Sequence, residues 1–530
     1  MAVAEVDAAK AEHHRAPAAP PHPQPAVPGG GHFVRTIAKF GLAQPLTWAS
    51  SAVLVVMLPH FLGDAALGKY GFAIGLTLLA GLLANLGVSA YLTKEVARAP
   101  WRAGEMTINA LALRLPLSLV AAAVPIGIVT LRPRDAVTQT VVFILSAGIL
   151  VDAVRAVVQG TLQGLHRMTT LAAFPAVAGA VYAGAAALAL TRGYGVEFVA
   201  AAFVTGQFAG LVLNIVALWR ALPGIPRPTL RACRLLLIGG LPFFVWQAAL
   251  VVYGQVDSVL LSYLTNDAVV GWYVAAYRIV TVPIFVPTVL MTVAFPALSA
   301  AARDPERFNP IVQRAVQVVL VATMPMALGI MLVPDRIVQA LHWSASFQHS
   351  VLPIVLLAPS FPLIAVDMMI GTALNARDRQ RQWAMTGVAA ALLNPALNFL
   401  LIPYTQQHLG NGAIGAATVT TTTELFMMVV GLLLLPRGVL TRHTAGWAVR
   451  CFGACLVMTA IVLPFRQSFI AIPVVAGALA YVIASIGLGT LSPSDVKSAV
   501  RQLAKRTEEP SPRGGGQGGG TLGEDAEEVA

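Results

Sequence analysis

The chain has 530 residues, 57% of them hydrophobic and only 11% charged, against roughly 25% charged in an average soluble domain. With a mean hydropathy of +0.74, that composition excludes a soluble enzyme or scaffold. The formal net charge of +11 would suit a nucleic-acid partner, but its placement along the chain has another cause, given below.

Residues 1–31 are rich in Ala, Pro and His and read as a disordered cytoplasmic tail. They hold no apolar run of about 7–15 residues, so they are not a signal peptide. Apolar segments of about 20 residues, the length that crosses a hydrocarbon core of roughly 30 Å, then recur near 36–62, 68–92, 107–131, 139–164, 169–191 and 197–219. A cytoplasmic linker at 220–234, basic and broken by proline, precedes a second set near 235–263, 268–294, 311–333, 350–374, 383–403 and 413–436. A final pair falls near 444–464 and 469–490. The expected fold is an all-α polytopic membrane protein of about fourteen spans. A β-barrel is excluded because these segments are continuously apolar instead of alternating at every second residue. The expected organisation is a six-helix lobe at 32–219, a second at 235–437 and an extra helix pair within 438–491. An amphipathic interfacial helix is expected at 492–506, with Val496, Val500 and Leu503 opposite Lys497, Arg501 and Lys505. The Gly-rich, acidic residues 507–530 form a second tail.

Lys and Arg set the orientation. Only Lys69, Arg132, Arg134, Arg192, Arg336 and Arg466 fall in the outer loops, whereas inner segments carry clusters such as Arg227, Arg231 and Arg234, or Arg377, Arg379 and Arg381. That asymmetry follows the positive-inside rule and puts both termini in the cytoplasm. The basic charge is therefore a topology signal, and no nucleic acid is expected.

Two segments share the pattern D-A-x-x-G-x-Y. Asp64-Ala-Ala-Leu-Gly68-Lys-Tyr70 opens the second span, and Asp267-Ala-Val-Val-Gly271-Trp-Tyr273 opens the eighth. Gly160-Thr161 and Gly371-Thr372, then Gly193-Tyr-Gly195 and Gly410-Asn-Gly412, repeat in the same order. Together they indicate two six-helix halves inserted with the same orientation, a parallel repeat.

Catalytic signatures are missing: there is no HExxH and no GxSxG, and the three cysteines Cys233, Cys451 and Cys455 make no CxxC. Neither a metal site, a cofactor nor a disulfide framework is expected, and the protein is not read as an enzyme. Cys451 and Cys455 share a helix face, where packing explains them. Gly63-Asp-Ala-Ala-Leu-Gly68-Lys69 has the spacing of a phosphate-binding loop. Tyr70 follows it instead of Ser or Thr, and its flanks are membrane helices instead of a strand.

What remains is a set of polar groups inside apolar spans, costly there and usually facing a partner or a wet cavity. Asp152 and Arg155 are three residues apart on one helix face and read as a neutralising pair or as part of a site. Asp257 and Arg278 lie on either side of the turn Thr265-Asn266-Asp267 at similar depth, which suggests a second pair across an antiparallel hairpin. Asp367 and Glu424 lie in spans ten and twelve, and Asn85, Gln255, Asn394 and Asn398 add neutral groups. Arg114 has no carboxylate at helical spacing and precedes Pro116, which makes it the leading candidate for an anion ligand, with snorkelling to the inner surface the alternative. Pro116, Pro242, Pro283, Pro287, Pro296, Pro325, Pro362 and Pro395 lie inside spans and can kink them.

The first two spans, with LPHFLGDAALGKYGFAIGLTLLAGLLANLGVSAYLTKEVAR, resemble the start of a bacterial polysaccharide flippase. So does the central hairpin, YGQVDSVLLSYLTNDAVVGWYVAAYRIV followed by FPALS. That family is part of the multidrug/oligosaccharidyl-lipid/polysaccharide exporter (MOP) superfamily, and the similarity covers residues 33–440. The resemblance implies two lobes around a cavity that opens alternately to either side. It also implies an undecaprenyl-pyrophosphate-linked oligosaccharide carried from the inner to the outer leaflet of the bacterial cytoplasmic membrane. Its partners would be membrane lipid, a polysaccharide polymerase and glycosyltransferases, with coupling to H+ or Na+. On that reading Arg114, Arg155 and Arg278 are candidates for the anionic headgroup, and Asp152, Asp257, Asp367 and Glu424 for ion coupling or structural pairing. Lipid II flippases and cation-coupled multidrug antiporters of the same superfamily are the alternatives.

Overall fold

The structure is a computed structural model, and it describes residues 30–491 apart from 221, 223–226, 437 and 440. The expected amphipathic helix at 492–506 and the second tail lie outside the described residues, as does the first tail up to residue 29. Among the described residues there are helices and turns and no strand.

The first helix, α1 (Gly30–Asn85), runs for 56 residues through a break at Gly63, whose φ of 73° suits glycine. At about 1.5 Å per residue such a helix is far longer than a bilayer core of roughly 30 Å, so the break divides it into two crossings. The spans expected near 36–62 and 68–92 are its two arms, and the second ends earlier than expected. Leu86 (φ 42°) and Gly87 (φ 74°) turn the chain into α2 (Val88–Arg98).

Helices α3 (Ala103–Leu131), α4 (Ala136–Gly164), α5 (Met168–Thr191), α6 (Val196–Trp219) and α7 (Leu230–Leu264) follow. Asp135 caps α4 by accepting from the Thr138 amide. Gly206 and Gly210, four apart on α6, leave room for the Ala178 carbonyl and the Phe174 ring of α5, and a Cβ at either would overlap them. This is the small-residue packing that lets membrane helices approach closely where no hydrophobic force drives them together.

Next come α8 (Asp267–Thr281), capped by Asn266, and α9 (Phe285–Ala301), set off by a tight turn at Pro283. The remaining helices are α10 (Pro305–Leu332), α11 (Pro334–Ala340), α12 (Val351–Leu357), α13 (Ser360–Ala376), α14 (Gln380–Leu409), α15 (Gly412–Leu434), α16 (Arg442–Val462) and α17 (Ala471–Gly487).

Eleven of the described helices are long and apolar enough to cross a membrane, or twelve if the α12–α13 pair, bent by 42°, forms one crossing. Counting the arms of α1 separately and admitting α17, at 17 residues just under span length, gives the expected fourteen.

The chain packs as two compact units. Among the described residues, one runs to Leu54 and resumes over Ala80–Phe244; the other takes Val55–Leu79 and the described residues from Val245 onward. In the first, Val88, Leu92 and Val96 line one face of α2 and bury against Met106 and Ala110 of α3, Val157 of α4 and Leu236 of α7. Gly87 and Gly240 meet backbone to backbone, where a Cβ on either would overlap the other's strand of chain.

In the second unit, the two copies of the sequence repeat lock into each other. A Cβ at Gly68 would overlap the Asp267 carbonyl, and one at Gly271 would overlap the Asp64 carbonyl. The Trp272 indole donates to Asp64 Oδ2 at 2.9 Å. The repeated Asp and Gly are thus the two sides of one reciprocal helix contact. Elsewhere in this unit Phe308, Ile370 and Trp383 are part of one buried hydrophobic core. Cys455, Met458, Val462 and Tyr481 join α16 and α17 to α10. Cys451 and Cys455 are free and buried.

Candidate functional site

The first unit holds a charged cluster built on a helix end. Because α1 stops at Asn85, its last carbonyls lack the amides of a following turn. Arg114 reaches from α3 to fill that gap: its Nε donates to the Ala84 carbonyl at 3.1 Å and its Nη1 to the Ser89 hydroxyl. Ser89 in turn donates to Asn85 Oδ1 at 3.2 Å. A cation at a helix C-terminus is also favoured by the helix dipole. Arg114 is completely buried. Its remaining Nη2 makes no hydrogen bond and points to Asp152 Oδ2, 4.0 Å away.

Asp152 therefore serves two guanidiniums. Arg155 donates to it through Nε at 2.9 Å and through Nη2, and to Gln159 Oε1 at 2.6 Å. The Arg155 guanidinium carbon lies 5.4 Å from the centre of the Phe174 ring, a cation–π contact. The Asp152 side chain is 49% exposed and that of Arg155 25%, whereas that of Arg114 is 1% exposed. Two cations around one anion leave an excess positive charge, and Arg155 carries it nearest the surface of the unit.

Arg114 has no carboxylate near it in the sequence. Its partners come from other helices, which spacing along one helix does not reveal. Snorkelling is not its solution, since the whole side chain is inside.

In the second unit the expected Asp257–Arg278 pair does not form. Asp257 Oδ1 accepts from Asn398 Nδ2 at 2.6 Å, and Oδ2 accepts from the hydroxyls of Tyr273 at 2.6 Å and Thr420 at 2.8 Å. Asn398 also donates to Asn394 Oδ1 at 2.9 Å. The reason is hairpin register: the hydrogen bond to Asp257 sets Tyr273 opposite it, and Arg278 lies more than a helical turn beyond Tyr273 along α8. Arg278 is half-buried on α8 and makes no ion pair with Asp257.

Asp367 on α13 and Glu424 on α15 are brought together, each about 5% exposed. The two acids lie near enough to act on each other electrostatically. The Tyr253 hydroxyl of α7 donates to Glu424 Oε1. Neither oxygen of Asp367 has a donor aimed at it. Sequence reasoning missed Ser89, Gln159, Tyr253, Tyr273 and Thr420. Tyr273 alone carried a signal, as the last residue of the repeated motif.

Residues 34–302 match the sequence profile of the family described as "Polysaccharide biosynthesis protein". The chain belongs to that family. It is also 28% identical over 194 residues to the "Probable flippase AglR" of Haloferax volcanii, covering 36% of this chain and 39% of that protein. The match thus spans well under half the length of that relative. Among solved structures, the fold is similar to lipid II flippase MurJ in an inward closed conformation, with a TM-score of 0.65 at 14% identity over 86% of this chain and 98% of MurJ. An inward-facing multidrug resistance MATE transporter of the MOP superfamily gives a TM-score of 0.58 at 17% identity, over 75% of this chain and 97% of that one. At such identities the likeness is one of fold: a multi-pass membrane protein with the helical architecture of MOP transporters.

Proposed function

We propose that this protein flips a lipid-diphosphate-linked oligosaccharide from the inner to the outer leaflet of the bacterial cytoplasmic membrane, by alternating access, for cell-surface polysaccharide biosynthesis. It works as a transporter, without catalytic chemistry of its own, and both termini face the cytoplasm. Family membership and a relative named as a probable flippase support the transport reading. The observation that carries the choice of substrate is the uncompensated cation of the Arg114–Asp152–Arg155 cluster, set among apolar helices where a spare positive charge is costly.

Arg155 is the headgroup ligand in the first unit, because its guanidinium is accessible and offers the planar fork that suits phosphate oxygens. Arg114 stands behind it, holding Asp152 and the end of α1. Arg278, half-buried and without a carboxylate from Asp257, is the second ligand.

A second reading, a lipid II flippase, is favoured by the extent of the MurJ likeness, which takes in 86% of this chain against 75% for the MATE structure. Leaflet-sidedness measurements in cells lacking the protein decide between the two. Lipid-linked oligosaccharide trapped on the inner leaflet, with lipid II distributed normally, is the expected result. Normal outer-leaflet oligosaccharide together with trapped lipid II would overturn it. Orientation is checked separately: in a cysteine-free background, Ser346→Cys should label from outside intact cells and Ser299→Cys should not.

A further inference from the structure

Within the Arg114–Asp152–Arg155 cluster an unmet donor faces an unused acceptor. Arg114 Nη2 is buried and makes no hydrogen bond. Asp152 Oδ2, 4.0 Å away, accepts none from the described residues either, because both bonds from Arg155 go to Oδ1. A buried donor without an acceptor costs free energy. Closing the gap to an ordinary charged hydrogen bond takes a shift of about 1 Å. Asp152 is the group able to make it. Its side chain is half-exposed, whereas the Arg114 guanidinium is buried and already fixed, through Nε to the Ala84 carbonyl and through Nη1 to Ser89.

Arg155 is what holds Asp152 back, and the two groups are poorly matched in shape. The Nε–Nη2 edge of a guanidinium is a fork that suits two oxygens. Here a single oxygen, Oδ1, spans both donors. A phosphate brings two oxygens to the same edge. Losing Asp152 does not leave Arg155 loose. Gln159 Oε1 accepts from its Nη1 at 2.6 Å, and the Phe174 ring centre lies 5.4 Å from its guanidinium carbon. Phe174 is itself wedged in place, since a Cβ at Gly210 would overlap its ring. Gln159 and Phe174 thus support Arg155 without using its fork edge.

We propose that Asp152 is a positioning residue handed from Arg155 to Arg114: a phosphate takes the Arg155 fork, and the displaced carboxylate closes on Arg114 Nη2. Every charge stays paired through the exchange, which spares Asp152 the cost of losing its partner among apolar helices. Arg114 also holds the Ala84 carbonyl at the end of α1, beside the turn at Leu86 and Gly87, where both residues have positive φ. An occupied headgroup site is thereby anchored to the junction of α1 and α2, and an empty one is not. All of these residues belong to the first unit. The handover rests on the reading of Arg155 as the headgroup ligand.

Purified full-length protein and inorganic pyrophosphate separate the two. Calorimetry reads binding, and hydrogen–deuterium exchange reads the amides of residues 84–92. In the wild type, pyrophosphate should bind and slow exchange over 84–92 by about tenfold, the scale of one hydrogen bond to a charged group. Asp152→Asn should bind pyrophosphate several-fold more tightly, because its fork is free, and exchange over 84–92 should no longer respond. A carboxylate that only props the fold predicts the reverse, with weaker binding in the variant. Asp152→Ala carries the same expectations if Asp152→Asn does not fold. Arg155→Ala should lose binding.

Wild-type binding that depends on Arg155 but leaves 84–92 unchanged would overturn the handover alone. So would slowing that persists in the Asp152 variant, or weaker binding there. Pyrophosphate that does not bind the wild type, or binds Arg155→Ala equally well, would overturn the headgroup reading and the handover with it.

Discussion

Two buried carboxylates in the same compact unit are treated in opposite ways. Asp257 receives three hydrogen bonds from Tyr273, Thr420 and Asn398, on three different helices. Asp367, equally deep, receives none and has another acid, Glu424, near it. The first arrangement pins α7, α8, α14 and α15 to one another; the second leaves a buried carboxyl group that no donor satisfies. Burial alone does not make an acidic residue functional in a membrane helix. What separates the two is whether the surrounding donors satisfy the carboxyl group.

The largest expected effect comes from deleting each carboxylate outright. Asp257→Leu strands three buried donors, at roughly 1–3 kcal/mol for each one left unbonded, so thermal unfolding in detergent should shift down by many degrees and folded yield should fall. Asp367→Leu removes an acceptor that no donor uses, and its unfolding temperature should match or exceed the parental one. Equal damage from the two changes would erase the distinction. A smaller effect is expected from trimming the tyrosines. Tyr273→Phe takes one of three donors from Asp257 and should cost about 1.5–3 kcal/mol, as for a hydrogen bond to a charged group. Tyr253→Phe should cost less, because its bond to Glu424 joins two helices where the Asp257 node joins four. Smallest of all is the coupling between Asp257 and Arg278. Asp257→Asn and Arg278→Gln should add in a double-mutant cycle to within about 0.5 kcal/mol. Rescue of one by the other would restore the hairpin ion pair that the hydrogen bonds of Asp257 argue against.

Much of this was legible in the sequence. Apolar runs and the asymmetry of Lys and Arg gave the helical membrane fold and its span count, because bilayer thickness imposes a length that composition alone can report. The D-A-x-x-G-x-Y repeat marked a real contact, although its meaning, two glycines each admitting the other's Asp carbonyl, needed both helices in place. The site was legible only as an inventory. Arg114, Asp152, Arg155, Asp257, Asp367 and Glu424 stand out as charges in apolar stretches, yet their partners lie on other helices. Ala84 offers Arg114 a backbone carbonyl, which leaves no trace in side-chain pattern. The Asp257–Arg278 expectation failed by register: similar depth on two helices is judged from the turn, and an error of a few residues passes a whole helical turn.

The headgroup assignment is the centre of the account, and reconstitution tests it most directly. Purified full-length protein in liposomes would be given a fluorescent diphosphate-linked oligosaccharide lipid, lipid II, or a cationic drug, with Arg155→Ala and Arg278→Ala alongside. The account predicts that the oligosaccharide lipid crosses far faster than in protein-free vesicles, and that each variant slows it while remaining folded. Transport of lipid II or the drug in its place, or an undiminished rate in both variants, would contradict it.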